Sequence, residues 1–247
     1  MLLAVDVGNT TVNIGIFKNS RLVFQKKIPT EKGAGEKYYY GKFKKILTGR
    51  QITFVIISSV VPKVTRALQK SFKRLKIKTV ILGKDLTAPI KNLYKNPKQV
   101  GQDRLVNACA GYKKFGGGLI IVDFGTAVTF DVVSKKGAYL GGIIVPGIRT
   151  SLSTLSQKAA LLPEIMLKKP RAVIGADTVN SMLSGILNGY GALCDGLVAR
   201  IKKETGKNYK IILTGGDAGL ISKFCKFDSV EPDLTLEGLY LIHKNLV

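Results

Sequence analysis

The sequence predicts an α/β protein built from two similar halves, and three observations carry that reading. Short β-branched apolar runs alternate with segments of helical spacing along the 247 residues. The opening stretch "LAVDVGNTTVNIGIF" has a counterpart, "IIVDFGTAVTFDVVS", whose aspartate lies 117 positions later. Both stretches set Asp-x-Gly and a threonine-bearing turn between two apolar strands. One such hairpin is an ordinary turn. Two, at the heads of two halves of similar length, indicate internal duplication.

The elements follow in order. Strands are expected at 2–6, 12–17 and 21–28, and a polar, glycine-containing helix at 31–48. "ITFVII" reads as a buried strand at 52–57, and Val64, Leu68, Phe72 and Leu75 give helical spacing over 62–75. "KTVILG" is another strand, followed by a loop containing Asn96-Pro97. "DRLVNACAGYKKF" reads as a helix that stops at Gly116-Gly117-Gly118. Those glycines resemble a phosphate cradle, but a cradle sits between a strand and a following helix. Here a helix precedes and the strand "LIIVD" follows, so they mark a helix stop and a hinge. The domains are therefore set at 1–117 and 118–247. The second half continues with its hairpin, a strand in "AYLGGIIVPGI", and one or two helices in "TVNSMLSGILNGYGALCDGLVARIKKE". "KIILTGGDAGLI" is strand, glycine turn and helix start, and "DLTLEGLYLIHKN" closes the chain as a helix with Asp233 at its N-terminal end. The only histidine, His243, is expected on that helix's solvated surface.

Composition narrows the function. Hydrophobic content of 45% and a mean hydropathy of +0.15 fit a folded globular chain. The N-terminal apolar run is too short to span a bilayer and has no basic leader, so a cytoplasmic protein without membrane contact is expected. Cys109, Cys194 and Cys225 lack CxxC spacing and read as reduced, buried thiols. The net charge of +23 is uneven: residues 1–117 hold 24 Lys+Arg against 5 Asp+Glu, residues 118–247 hold 15 against 11. Such a field can draw in nucleic acid or small anions. The lysines are scattered and no nucleic-acid signature accompanies them, although "EKYYYGKFKK" could offer a stacking surface. Nucleic acid is therefore not the expected partner. The acids of the first half are more telling. Of Asp6, Glu31, Glu36, Asp85 and Asp103, Asp6 and Asp103 lie in apolar or glycine-flanked motifs, which makes them candidates for chemistry.

A glycine beside a strand end admits a ligand close to the backbone. Threonine, asparagine and turn N–H groups can then bind phosphate oxygens, while a carboxylate must act through Mg²⁺, directly or through water. Two such hairpins suit a nucleoside triphosphate, and the chain has no GxxxxGK[ST] loop. The ordered set "DVGNTTVNIG" (6–15), "GQDR" (101–104), "DFGTAVTFD" (123–131), "YLGGIIVPGI" (139–148), "IGADTVNSMLSGI" (174–186) and "LTGGDA" (213–218) resembles type III pantothenate kinase, of the acetate kinase, sugar kinase, Hsp70 and actin superfamily. The motifs span nearly the whole chain.

That resemblance implies two ribonuclease-H-like, actin-like ATPase domains flanking a nucleotide cleft, and ATP-dependent phosphorylation of pantothenate. It assigns the ATP phosphates to Asp6, Val7, Gly8, Asn9, Thr10, Thr11, Val12 and Asn13, with Thr126 from the second hairpin. Asp6 would face the Mg²⁺ that accompanies ATP, and Asp123 a monovalent cation, K⁺ or NH₄⁺. Pantothenate contacts fall on Tyr94, Gly101, Gln102, Asp103, Arg104 and Thr178, with Asp103 as proton acceptor. A homodimer is implied, with the pantothenate site near or across its interface. Two departures stand out: Gln102 occupies a position the family varies, and Val128 stands where a second threonine is common, which bears on cation-site geometry.

The residues themselves support part of this. Phosphoryl transfer to an alcohol needs positioning, charge stabilisation and a base. Asp103 follows a glycine at a helix start, and Arg104 offers a planar fork for an anion. Alone, the pair would read as a helix-terminal acid beside a surface arginine. Thr178 could be part of a helix cap after Asp177, Tyr94 an ordinary half-buried loop aromatic, and Thr214-Gly215-Gly216 either a seat for adenosine or a tight strand–helix junction. Asp131 is left out of the site. An inactive regulator of the same fold, or a kinase of another small alcohol, are the alternatives, because the residues alone leave the substrate open.

Overall fold

A computed structural model describes residues 1–244 and divides into two compact units. The first comprises Met1–Lys114 together with the segment that begins at Leu234, and the second is Phe115–Asp233. The division falls three residues before the boundary read from the sequence, and the terminal helix groups with the first unit rather than the second.

In the first unit, β1 (Leu2–Val7), β2 (Thr11–Lys18) and β3 (Arg21–Pro29) form an antiparallel meander. Helix α1 (Glu36–Leu47) leads to β4 (Phe54–Ser59), and α2 (Pro62–Arg74) leads to β5 (Lys78–Ile81). β4 runs parallel to β1, and β5 parallel to β4. A two-residue strand, β6 (Lys91–Asn92), a 3₁₀ turn (Pro97–Gln99) and α3 (Gln102–Phe115) complete this stretch.

Two predicted boundaries shift. α1 starts at Glu36, not residue 31, because Glu31 is held outside the helix: its N–H donates to the Tyr39 hydroxyl, which donates to the Glu31 carbonyl, each at 3.1 Å. β4 runs to Ser59 because its pairing with β1 begins at Leu2↔Phe54 and ends at Val7↔Ser59.

Strand alternation gives this sheet two faces. Leu3, Val5, Val7, Val12, Ile14, Ile16, Val55 and Ile57 pack in one core with Tyr39, Phe43, Leu68 and Phe72 of α1 and α2. Ile28 of β3 and Ile81 of β5 join them, and at about 1.5–3 kcal/mol per buried large apolar side chain this core fixes the register of all five strands. The opposite face is covered by α7 (Leu234–Lys244). Tyr240 stacks on Phe17 with ring centroids 4.8 Å apart, and His243 lies 4.3 Å from the ring of Phe54. His243 is thus half-buried against an aromatic rather than solvated, and burial together with the nearby Lys78 charge lowers its pKa.

The second unit repeats the arrangement. β7 (Leu119–Phe124), β8 (Ala127–Val133) and β9 (Ala138–Pro146) form the antiparallel meander. Helix α4 (Ile148–Lys158), absent from the predicted elements, and the unbroken 28-residue α5 (Thr178–Thr205) precede β10 (Lys210–Thr214), which pairs parallel with β7. The short α6 (Ala218–Ile221) and β11 (Ser229–Val230) follow. The order β11-β10-β7-β8-β9 matches β5-β4-β1-β2-β3 of the first unit strand for strand. Ile120, Val122, Phe124, Val128, Phe130 and Val132 pack with Leu187, Tyr190 and Cys194 of α5. Among the described residues no helix is long and apolar enough to cross a membrane.

Gly238 is where α7 meets α3: an added Cβ would stand 2.6 Å from Val106 Cγ1 and 2.9 Å from the Val106 carbonyl. The carbonyl cannot move without disturbing α3. Gly238→Val is expected to lower stability by about 1–3 kcal/mol through overpacking, read as a lower urea midpoint at unchanged slope.

Candidate active site

The first hairpin places Asp6 opposite Asn13 on β2 and beside Ser58 on β4. Alternation turns these three side chains away from the core that holds Val5, Val7 and Val12. Val7 and Val12 therefore shape the turn through their backbones, with buried side chains. At the tip, the Gly8 N–H donates to the Thr11 carbonyl at 3.0 Å, leaving Asn9 and Thr10 exposed. Thr30, which no motif marked, clamps this turn: its N–H donates to the Thr10 carbonyl at 2.9 Å and its hydroxyl to the Gly8 carbonyl at 2.8 Å.

Asn13 Oδ1 and Ser58 Oγ are buried without a hydrogen-bond partner. Leaving such a group unpaired costs about 1–3 kcal/mol. Two of them beside one carboxylate form an all-oxygen set suited to a hard, hydrated cation such as Mg²⁺, which commonly takes one or two carboxylates plus waters and substrate phosphate. Among the described residues no three His, Cys, Asp or Glu side chains cluster as metal ligands. A cation here would rest on a single carboxylate.

α3 begins beside this turn. The Val60 N–H donates to the Val7 carbonyl at 3.1 Å, and a Cβ on Gly101 would lie 3.8 Å from Val60 Cγ1. Gln102 packs over Gly83, just past β5. The Asp6–Asn13 turn and the Gly101–Arg104 segment thus share the carboxyl ends of β1, β4 and β5, where open α/β sheets bind ligands. The Asp103 carboxylate folds back over Gly101, so that a methyl there would collide with Oδ1, and Oδ1 accepts the Arg104 N–H at 2.9 Å. Burial raises the Asp103 pKa, opposed by the Arg104 N–H and guanidinium. Arg104 is itself buried, at 8% exposure. Tyr94 is half-buried in the preceding loop, its N–H held by Asn92 Oδ1 at 3.0 Å.

In the second unit Asp123 stands opposite Thr129 and beside Thr214, the positions that Asn13 and Ser58 hold around Asp6. The turn is one residue shorter, closed by the Gly125 N–H on the Ala127 carbonyl at 3.1 Å, with Gly125 and Thr126 exposed. Gly215, at φ +93°, lies so close to Asp123 Oδ1 and the Phe124 backbone that no side chain fits. Thr214-Gly215-Gly216 is therefore a tight junction. Asp131 is fully buried and accepts hydrogen bonds from Tyr139 at 2.9 Å and Thr129 at 3.1 Å.

Val128 does not bear on Asp123 as expected. Its side chain is fully buried on the core face, away from the carboxylate. At the start of α5 the cap is Asp177, whose carboxylate accepts the Asn180 N–H at 2.7 Å and the Asn180 side-chain amide at 2.6 Å; these bonds lower its pKa. Thr178 is left exposed as the first helical residue.

Comparisons with known proteins agree in direction. A family model described as type III pantothenate kinase matches residues 2–200. The chain is 44% identical over 251 residues to the type III pantothenate kinase of Geobacter sp. (strain M21), covering 99% of both chains. It is 44% identical over 253 residues to that of Geotalea daltonii, covering 99% of this chain and 98% of the other. A Campylobacter jejuni structure described as a candidate transcriptional activator of the Baf family superposes with a TM-score of 0.62 at 20% identity, over 99% of this chain and 98% of that one. That last likeness speaks for the fold alone.

Gly101→Ala forces the Asp103 carboxylate off its present seat, and should cost at least about tenfold in kcat where Asp103 is the proton acceptor that the sequence resemblance implies. Circular dichroism should be unchanged; unaltered kcat would show that the carboxylate's seat is unimportant.

Proposed function

The chain belongs to the type III pantothenate kinase family, and from that premise we propose which of its residues carry the transfer of the ATP γ-phosphoryl group to the primary hydroxyl of pantothenate. This reaction gives 4′-phosphopantothenate and opens coenzyme A synthesis. Asp103 is the general base. The single observation that carries this role is its burial at the carboxyl ends of the strands beside the Asp6–Asn13 turn, which raises its pKa and so its basicity. As the hydroxyl oxygen bonds to the γ-phosphorus, its proton passes to the Asp103 carboxylate and the bond to the ADP oxygen breaks.

The exposed tip of the Asp6–Asn13 turn and Thr126 bind the ATP phosphates. Asp6, with Asn13 Oδ1 and Ser58 Oγ beside it, would hold the Mg²⁺ that accompanies ATP, and that ion would neutralise phosphate charge. Asp123 takes K⁺ or NH₄⁺. Tyr94, the Gly101–Arg104 segment and Thr178 bind pantothenate, with the Arg104 fork suited to the substrate's carboxylate. The protein works in the cytoplasm as a homodimer. Support for the dimer comes from the segment joining α4 to α5, where Leu161, Met166, Val173 and Ile174 are 74–94% exposed.

An ADP-release assay with pantothenate, other small alcohols, ATP and Mg²⁺, run in K⁺ and again in Na⁺, tests substrate and cation together. Turnover confined to pantothenate and dependent on K⁺ is expected; preference for another alcohol overturns the substrate. Asp103→Asn should lose about 10²–10⁴-fold in kcat while ATP still binds by calorimetry, and near-wild-type turnover would refute the base.

The raised pKa has two further consequences. The acidic limb of kcat against pH should lie above the ordinary carboxylate range. A carboxyl group with a raised folded-state pKa favours folding at acid pH, and that contribution is lost as pH rises through the folded pKa. Asp103→Asn should therefore melt higher than the wild type at neutral pH, and the difference should vanish in acid. Ile174→Asp should convert the dimer to a folded monomer by light scattering; a monomeric wild type removes the dimer proposal.

A further inference from the structure

The turn that presents Thr126 is held from both sides within the second unit. From the start of α4, the Gly147 N–H and the Thr150 hydroxyl both donate to the Thr126 carbonyl, at 3.1 and 2.9 Å. Gly147 presses so closely that a side chain there would strike the Thr126 and Gly125 carbonyls. From the β10–α6 junction, the Asp217 N–H donates to the Phe124 carbonyl at 3.2 Å, and Gly215 seats against Asp123. One ion pair joins the two sides. Arg149, in the first turn of α4, donates to Asp217 through Nε at 3.0 and 3.2 Å and through Nη2 at 2.8 Å.

Both partners sit where simple electrostatics disfavours them. An arginine in a helix's first turn opposes the helix dipole. The Asp217 side chain is only 8% exposed, and burying a carboxylate is costly. With Arg149 70% exposed, the pair adds little net stability of its own. What the two-pronged pair adds is a fixed orientation. The pair thereby ties together the two elements whose N–H and hydroxyl groups hold the Phe124 and Thr126 carbonyls.

We propose that the Arg149–Asp217 pair is a positioning pair for the ATP phosphates and the monovalent cation: it locks α4 against the β10–α6 junction so that Thr126 and Asp123 keep their ligand-binding geometry. This rests on reading the second hairpin as a phosphate and cation turn. It predicts a loss chiefly on the nucleotide side of the reaction, since Tyr94 and the Gly101–Arg104 segment lie in the other unit and only Thr178 of the proposed pantothenate contacts shares this one.

The test compares Arg149→Lys, Arg149→Gln, Asp217→Asn and the Arg149→Gln/Asp217→Asn double variant with the wild type. ADP release yields KM for ATP, KM for pantothenate, kcat and the K⁺ concentration for half-activation. Calorimetry with a non-hydrolysable ATP analogue and Mg²⁺ yields affinity without turnover. Each single variant should raise KM for ATP and half-activating K⁺ by about tenfold or more, with KM for pantothenate within about twofold. The double variant should be no worse than the worse single one, because the pair acts as a unit. Arg149→Lys keeps the charge but not the fork, so wild-type behaviour there would assign the effect to charge and overturn the proposal. Equal losses for both substrates, or additive effects in the double variant, would also overturn it. If Asp217→Asn fails to fold, the two variants of the largely exposed Arg149 decide. If the wild type shows no turnover with pantothenate, the reaction assigned above fails, while the calorimetric comparison still decides the pair.

Discussion

In β1, Val5 and Val7 point into an apolar core while Asp6, between them, points away; in β7, Val122 and Phe124 do the same around Asp123. This two-residue alternation is the constraint on which both candidate sites depend. A slip of one residue would drive the carboxylate into a dry core and turn the valines to the other face. Each displaced valine or isoleucine forfeits about 1.5–3 kcal/mol, and an unpaired buried carboxylate adds several more. The apolar residues of the two cores therefore hold the acids at the turn. They also select the partners of each acid. Once register is fixed, Asn13 and Ser58 must flank Asp6, and Thr129 and Thr214 must flank Asp123.

How far these features could be read from sequence depends on how local their causes are. The Asp-x-Gly hairpins are legible because period-two alternation and turn chemistry lie within about ten residues of each other. The α3 stop at Gly116-Gly117 is legible for the same reason, and both glycines have positive φ. Thr30 is not, because its value comes from carbonyls 20 and 22 positions back, reached only after β3 has folded along β2. Ser58 falls just past the strand read at 52–57, and only pairing with β1 sets it beside Asp6. The Arg149–Asp217 pair spans 68 positions. His243 and the terminal helix look like a solvated end by composition, yet Phe17, Phe54 and the glycine at 238 give that helix a sheet and a partner helix to pack on.

The duplication extends to how the turns are held. In both units the residue directly after the third strand supplies an N–H to the turn: Thr30, after Pro29, to Thr10, and Gly147, after Pro146, to Thr126. From that common point the halves diverge. Thr30 adds a hydroxyl of its own, and Glu31 then ties to Tyr39 of α1. Gly147 instead opens α4, whose Thr150 and Arg149 extend the clamp. The first turn keeps buried, unpaired oxygens beside its aspartate, whereas the second has a side-chain-free residue packed against its own. One scaffold thus leaves unpaired oxygens beside one aspartate and packs bare backbone against the other.

The charge distribution sharpens the reading of Asp103. Residues 1–117 hold 24 Lys+Arg against 5 Asp+Glu, and so basic a surrounding would by itself stabilise a carboxylate and lower its pKa. The direction found is the opposite, with burial as the largest cause. The two effects differ in range. Exposed lysines act through water and salt that screen them over about 10 Å, whereas desolvation acts at the carboxyl atoms themselves. Arg104 is near enough to oppose it and still does not cancel it. A positive field of this kind can draw in anions at long range and still leave the Asp103 pKa raised. Desolvation at the carboxyl group, not the distant lysines, therefore sets the direction of the Asp103 shift.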